Sequence, residues 1–174
     1  MIYVFLADGF EETEAIAPID MLRRAKLDVK LVGIGTSTPT SSHGIRVTAD
    51  LTEAETKLDS SVQLIVLPGG MPGTLNLEKS PVVQSAIKYC VEKGIPVGAI
   101  CAAPSILGKL GLLNGRKAVC FPGFEQYLTG AEVLNKLCVT DGQFTTACGV
   151  GAARLRRGFS RNIVSTPPLY SIVS

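Results

Sequence analysis

Histidine is almost missing from this chain: His43 is the single one in 174 residues. Paired cysteines are missing too. Cys90, Cys101, Cys120, Cys138 and Cys148 make an odd count with no Cys-x-x-Cys spacing. That argues against a disulfide framework or a structural zinc site, so each thiol has to be judged by itself and no metal is expected. Charge of one sign is scarce: the net charge of +2 is too small to call for a nucleic-acid partner. No apolar run reaches membrane or signal-peptide length. The opening MIYVFLADGF has no basic start and its apolar stretch stops at Asp8. It reads as a buried strand, with no membrane partner and a cytoplasmic location expected. Neither a Gly-x-Gly-x-x-Gly nor a P-loop occurs, so no nucleotide cofactor has a home and none is expected.

What remains is an ordinary globular composition, 46% hydrophobic and 18% charged, at a length that fits one domain. Short apolar runs alternate with helix-like segments. Tyr3–Ala7, Val29–Ile34, Val62–Leu67, Ile95–Ile100, Lys117–Cys120 and Phe144–Ala147 read as strands, and Cys138 falls in another. Glu11–Ala25 reads as a helix with acids at its start and arginines at its end, as the macrodipole favours, and Pro18 is expected to kink it. Ser80-Pro81 opens a second helix with a cap and a proline at the first position, and Gly94 closes it. Ala103–Leu110 reads as a third. Ser41–Asp50 is a loop around Ser42-His43-Gly44. The pattern predicts a mostly parallel sheet covered on both faces, with ligands beyond the carboxyl ends of the strands.

The stretch VGAICAAPSIL ends a strand in a cysteine. Cys101 has Ala99 two residues before it and Ala103 two after. Small residues at those positions are the steric requirement of a nucleophile elbow, a sharp strand-to-helix turn that bulk would block. The following helix start offers N–H groups and partial positive charge, which predicts a lowered thiol pKa. The competing reading is a buried small hydrophobe. Leu67-Pro68-Gly69-Gly70 ends another strand with two glycines whose amides can approach a ligand oxygen. Glu11, Glu12 and Glu14 lie just past the first strand. A solvated acidic helix start is one reading; one of them turned inward beside Cys101, its pKa raised by desolvation, is the other.

These segments together resemble the ThiJ/PfpI family, in the branch of the Parkinson's-disease-linked deglycase and its bacterial relatives. The matching motifs are Ala7-Asp8-Gly9-Phe10-Glu11-Glu12-Thr13-Glu14, Ile19-Asp20-Met21-Leu22-Arg23-Arg24, Val66-Leu67-Pro68-Gly69-Gly70 and Ala99-Ile100-Cys101-Ala102-Ala103-Pro104. The resemblance runs over about residues 2–153. It implies an α/β fold, a flavodoxin-like sandwich with a mostly parallel sheet, that forms homodimers. By motif position it makes Cys101 the nucleophile and oxidisable thiol, and Glu14 the carboxyl that relays protons. Gly69, Gly70 and Ala102 would hold substrate or an oxyanion. His43, Cys120 and Phe121 are candidates for a surrounding role. The implied activities are a cofactor-free glyoxalase on 2-oxoaldehydes, a deglycase on glycated thiols and amines, or a non-enzymatic redox sensor or chaperone using the same cysteine.

Four residue-level departures or comparisons bear on this. Ala102 stands where the protease-like branch carries histidine, so peptidase activity is not expected. Phe121 stands where some relatives carry histidine, and Cys148 where many carry arginine. After Ala153 the family's closing helices give way to an arginine-rich tail, residues 154–174, in which only Arg154–Arg157 is expected to continue a helical turn; a lost covering helix would expose apolar sheet surface. Cys90 and Cys138 read as core residues. Cys120, at a strand end, resolves an oxidised Cys101 only if the geometry allows it.

Overall fold

The computed structural model describes residues 1–153; the tail and its expected helical turn lie outside the described residues. Nine strands form among the described residues: β1 (Ile2–Ala7), β2 (Val29–Ile34), β3 (Leu51–Thr52), β4 (Leu64–Leu67), β5 (Val97–Ile100), β6 (Lys117–Ala118), β7 (Glu132–Val133), β8 (Cys138–Asp141) and β9 (Phe144–Ala147). Four α-helices join them: α1 (Glu12–Arg24), α2 (Gly73–Lys79), α3 (Pro81–Lys93) and α4 (Pro104–Lys109). Seven strands make one sheet in the order β3-β2-β1-β4-β5-β9-β8. All its pairings are parallel except β8 with β9.

The period-two alternation of β1 shows how the layers arise. Tyr3, Phe5 and Ala7 pack on one face with Leu77 of α2, Val83, Ala86, Ile87 and Cys90 of α3, and Ile106 and Leu107 of α4. Ile2, Val4 and Leu6 pack on the other with Ala15, Ile19 and Leu22 of α1. Every residue of β1 is buried, as a strand covered on both faces requires. No helix among the described residues is long and apolar enough to cross a membrane.

Most elements form where the sequence pattern places them. β2 has the expected bounds, and α1 continues through the buried Pro18 to Arg24. Lys117–Cys120 is a correction: only Lys117–Ala118 is strand, and it pairs with β7 in a separate two-stranded sheet. Helix α2 has no signal in the sequence. Its seven residues follow Pro72 without a side-chain cap and are held by tertiary bonds, Gly73 N–H to Gly9 O (3.2 Å) and Asn76 Nδ2 to Asp8 O (2.9 Å).

The start of α3 is built as its residues dictate. Ser80 Oγ accepts from Val83 N–H at 3.3 Å and donates to Glu53 Oε1 at 2.8 Å, and Gly94 ends the helix in the left-handed region. Ser80→Ala removes both bonds and is expected to lower unfolding free energy by about 1 kcal/mol, read from the urea midpoint at constant m.

Candidate active site

In the order β3-β2-β1-β4-β5, chain connectivity reverses direction between β1 and β4, and ligands bind in the crevice past the carboxyl ends of such strands. Three chain segments enter that crevice: Asp8–Glu14 after β1, Pro68-Gly69-Gly70 after β4, and Cys101 after β5.

Cys101 has φ of 63°, a left-handed conformation that L-residues avoid. Two hydrogen bonds hold it there. Its N–H donates to Ala147 O at 2.8 Å, and its carbonyl accepts from Phe121 N–H at 2.8 Å. Ala102 and Ala103 behind it are buried, and Pro104 occupies the first turn of α4. The strained turn that the alanine spacing foreshadows is therefore present, and it projects the sulfur towards α1.

Glu14 is the acid that turns inward. It is 1% exposed, while Glu11 and Glu12 keep partial contact with solvent. Glu11 is the helix cap: its Oε2 accepts from Glu14 N–H at 2.9 Å, which fixes the first turn of α1 and the entry of the Glu14 side chain. Glu12 pairs with His43, Oε1 to Nδ1, at 2.9 Å. The carboxylate oxygens of Glu11 and Glu12 and the imidazole nitrogen of His43 lie within 4.8 Å of one another, a half-buried to exposed grouping whose polar atoms already serve the cap and the ion pair.

The absence of a side chain at Gly69 makes the contact possible. A Cβ there would stand 2.5 Å from Cys101 Cβ and 2.5 Å from Glu14 Oε2. Gly70, at φ 93°, turns the chain against Gly9 O and Phe10. Gly69→Ala drives a methyl group into both the Cys101 and the Glu14 side chains. It is expected to lower stability by about 1–3 kcal/mol, as overpacking does, measured by chemical denaturation.

The electrostatics follow from burial. Glu14 is pushed up to about 7, chiefly by desolvation; the Cys101 thiol and the Gly69 and Val150 amides that face its carboxyl oppose the shift. Its Oε2 is buried and accepts no hydrogen bond among the described residues. Cys101 is pushed up to about 12, by burial first and then by the Glu14 charge, against the pull of the Ala102 and Gly70 amides. This overturns the expected lowered thiol pKa. The six-residue α4 begins three positions after the sulfur's residue, and its field is outweighed by desolvation and a carboxylate at close range. Glu14 raises Cys101 while the thiol pulls Glu14 down, so the carboxyl gives up its proton first, near neutrality, and the thiol keeps its own.

The structure thus brings Cys101, Glu14, Gly69, Gly70 and Ala102 together. Phe121 joins through its backbone, and its half-exposed ring lies at the rim beside Gly149. His43 stays on the exposed loop with Glu12. Cys120 is buried and faces a different cavity, away from Cys101. Three contributors carry no sequence expectation: the Glu11 cap, the Ala147 carbonyl and the Val150 amide. Gly149-Val150-Gly151 was the available signal for the last, a glycine-bracketed amide after a strand.

A buried carboxyl set against a cysteine on a strained strand-to-helix turn, in a parallel sheet with flanking helices, defines the cysteine-bearing flavodoxin-like class. The chain belongs to the DJ-1/PfpI family, whose model matches residues 1–165. It is 38% identical over 156 residues to Protein DJ-1 homolog B of Arabidopsis thaliana, covering 87% of this chain and 35% of that protein. The chain thus spans about a third of the length of that relative. It is 31% identical to a deglycase of Pyrococcus horikoshii, over 81% of this chain and 85% of the other. A solved DJ-1 superfamily protein of Salmonella typhimurium superposes with a TM-score of 0.82 at 32% identity, covering 87% of this chain and 83% of that one.

Proposed function

We propose that the chain is a cofactor-free, cysteine-dependent glyoxalase or deglycase acting on 2-oxoaldehydes or their adducts with thiols and amines. The observation that carries this reading is the buried Glu14 carboxyl, its Oε2 without a hydrogen bond among the described residues and its pKa pushed up to about 7, beside Cys101 at φ 63°. An unpaired buried carboxyl oxygen costs roughly 1–3 kcal/mol, and an acid near pH 7 is best matched to moving protons both ways. The deglycase of Pyrococcus horikoshii, at 31% identity, supports the same class of chemistry.

On methylglyoxal the steps are as follows. Glu14 takes the Cys101 proton as the sulfur attacks the aldehyde carbon, giving a hemithioacetal. The Gly70 and Ala102 amides, which already face the sulfur, are placed to hold the oxyanion, while the Gly69 amide serves Glu14. Glu14 hands the thiol proton to the oxyanion, then carries a proton from the first carbon to the second while the hydroxyl proton passes to the neighbouring oxygen, and the hemithioacetal becomes a thioester. Water cleaves the thioester, releasing lactate and restoring the thiol. Because Cys101 is not a preformed thiolate, the base step accompanies the attack. Lactate formation from methylglyoxal by the wild type, beside Cys101→Ala and Glu14→Gln, tests the reading: no turnover in a folded wild type overturns it for this substrate.

The redox-sensor reading uses the same geometry. A protonated Glu14 and the Gly70 and Ala102 amides would donate to the oxygens of an oxidised Cys101. The Glu14→Gln variant separates the two, since a sensor keeps its peroxide chemistry while an enzyme loses turnover.

A further inference from the structure

Two thiols with no part in that chemistry line one cavity beside the site. Val119 N–H donates to Thr146 Oγ1 at 3.0 Å, tying the segment after β6 to β9. Two residues further on, the Phe121 ring lies against Gly149, where a Cβ would stand 3.5 Å from Cδ2. Cys120 sits between these two tie points on one segment, and Ala147 and Cys148 sit between them on the other. Both thiols line one cavity of about 460 Å³, with Glu125 and Lys136 at its wall. Cys101 is not part of that lining, so the thiol that Cys120 faces is Cys148.

We propose that Cys120 and Cys148 form a reversible dithiol–disulfide couple oxidised by hydroperoxides. It rests on the placement of these two residues and does not depend on the substrate reading above. Cys148 is half-buried and reachable from the cavity, whereas Cys120 is 6% exposed. The accessible Cys148 sulfur therefore attacks the peroxide oxygen; the O–O bond breaks, Cys148 becomes a sulfenic acid and water or an alcohol leaves. The Cys120 sulfur then attacks the sulfenic sulfur, the S–O bond breaks, and the departing hydroxide takes the Cys120 proton and leaves as water. Two thiols lose two electrons in all and one hydroperoxide is reduced. The same proximity bears on acidity: burial, then Glu125 and Cys148, push the Cys120 thiol up to about 11.

The bond would join the two segments that support the elbow, since Phe121 and Ala147 make the backbone bonds to Cys101.

The test treats the full chain with one equivalent of hydrogen peroxide, then maps unreduced peptides cut by trypsin and chymotrypsin, which cleaves at Phe144 and so separates Cys138 from Cys148. The expected result is a linked peptide pair holding Cys120 and Cys148, an intact mass lower by two hydrogens, and recovery with dithiothreitol. The link should also form in Cys101→Ser and vanish in Cys148→Ser, with Cys120 remaining alkylatable. Cys120 found linked to Cys101, or both thiols still fully alkylatable once Cys101 is oxidised, overturns the proposal. The native chain decides this alone, so a variant that fails to fold does not rescue it.

Discussion

Glu14→Gln lowers the rate of lactate formation from methylglyoxal by about 10²–10⁴-fold, the usual contribution of a positioned acid–base group. The substitution keeps the size of a side chain that is 1% exposed and removes only its ability to gain and lose a proton. The same variant changes the pH profile. In the wild type kcat/KM rises with pH through an apparent pKa of about 7, because the pair must have lost its first proton before Glu14 can accept the one on Cys101. Below that point the rate drops about tenfold per pH unit, and in Glu14→Gln this limb disappears.

Stability moves the other way. The folded pKa of Glu14 lies above its unfolded value of 4.5, so folding favours the protonated form. That contribution is fully present below pH 4.5 and is lost as pH rises through about 7. The difference amounts to about 3 kcal/mol from the size of the shift. Glu14→Gln, neutral at every pH, lacks this loss. Denaturant midpoints at pH 5 and pH 8 should differ less in the variant than in the wild type; an unchanged difference would show that Glu14 is solvated. A variant both slower and more stable at pH 8 is the signature of a group held at a cost for its chemistry.

Cys101→Ala reduces turnover to the rate of the buffer reaction, since it removes the thiol that faces Glu14. Cys101→Gly is equally inactive but differs in stability. An L-residue at φ 63° costs about 1–2 kcal/mol, a strain that alanine retains and glycine does not. Cys101→Gly should therefore unfold at higher urea than Cys101→Ala, by about 1 kcal/mol after glycine's own entropy is deducted. Equal midpoints would mean the elbow is relaxed. Residual activity in either variant above that of buffer would mean that Cys101 is not the nucleophile.

Several site features are local and so were readable in the chain. Ala99 and Ala103 bracket Cys101 at the spacing a tight turn demands, Ser80-Pro81 and Gly94 mark both ends of α3, and β2 lies at its expected bounds. Each depends on a residue and its near neighbours, where sterics and capping act. Helix α2 escaped because contacts with Gly9 and Asp8, more than 60 residues away in sequence, stabilise it in place of any cap of its own. Lys117–Cys120 shortens to Lys117–Ala118 for a similar reason: a short apolar run says nothing about which strand will accept it or over how many residues.

The sequence by itself determined a doubly covered parallel sheet, a cysteine at a strained strand end and three acids at the start of the first helix. Only the tertiary structure decided which acid is used. Glu14 reaches Cys101 because Gly69, on a different strand, leaves the volume empty. It also reversed the expected direction of the thiol's shift, since desolvation and a neighbouring charge come from the surrounding fold while a helix start is a local effect. The placement of Cys120 and Cys148 on one cavity belongs to the same group, because it arises only where two segments distant in sequence run side by side.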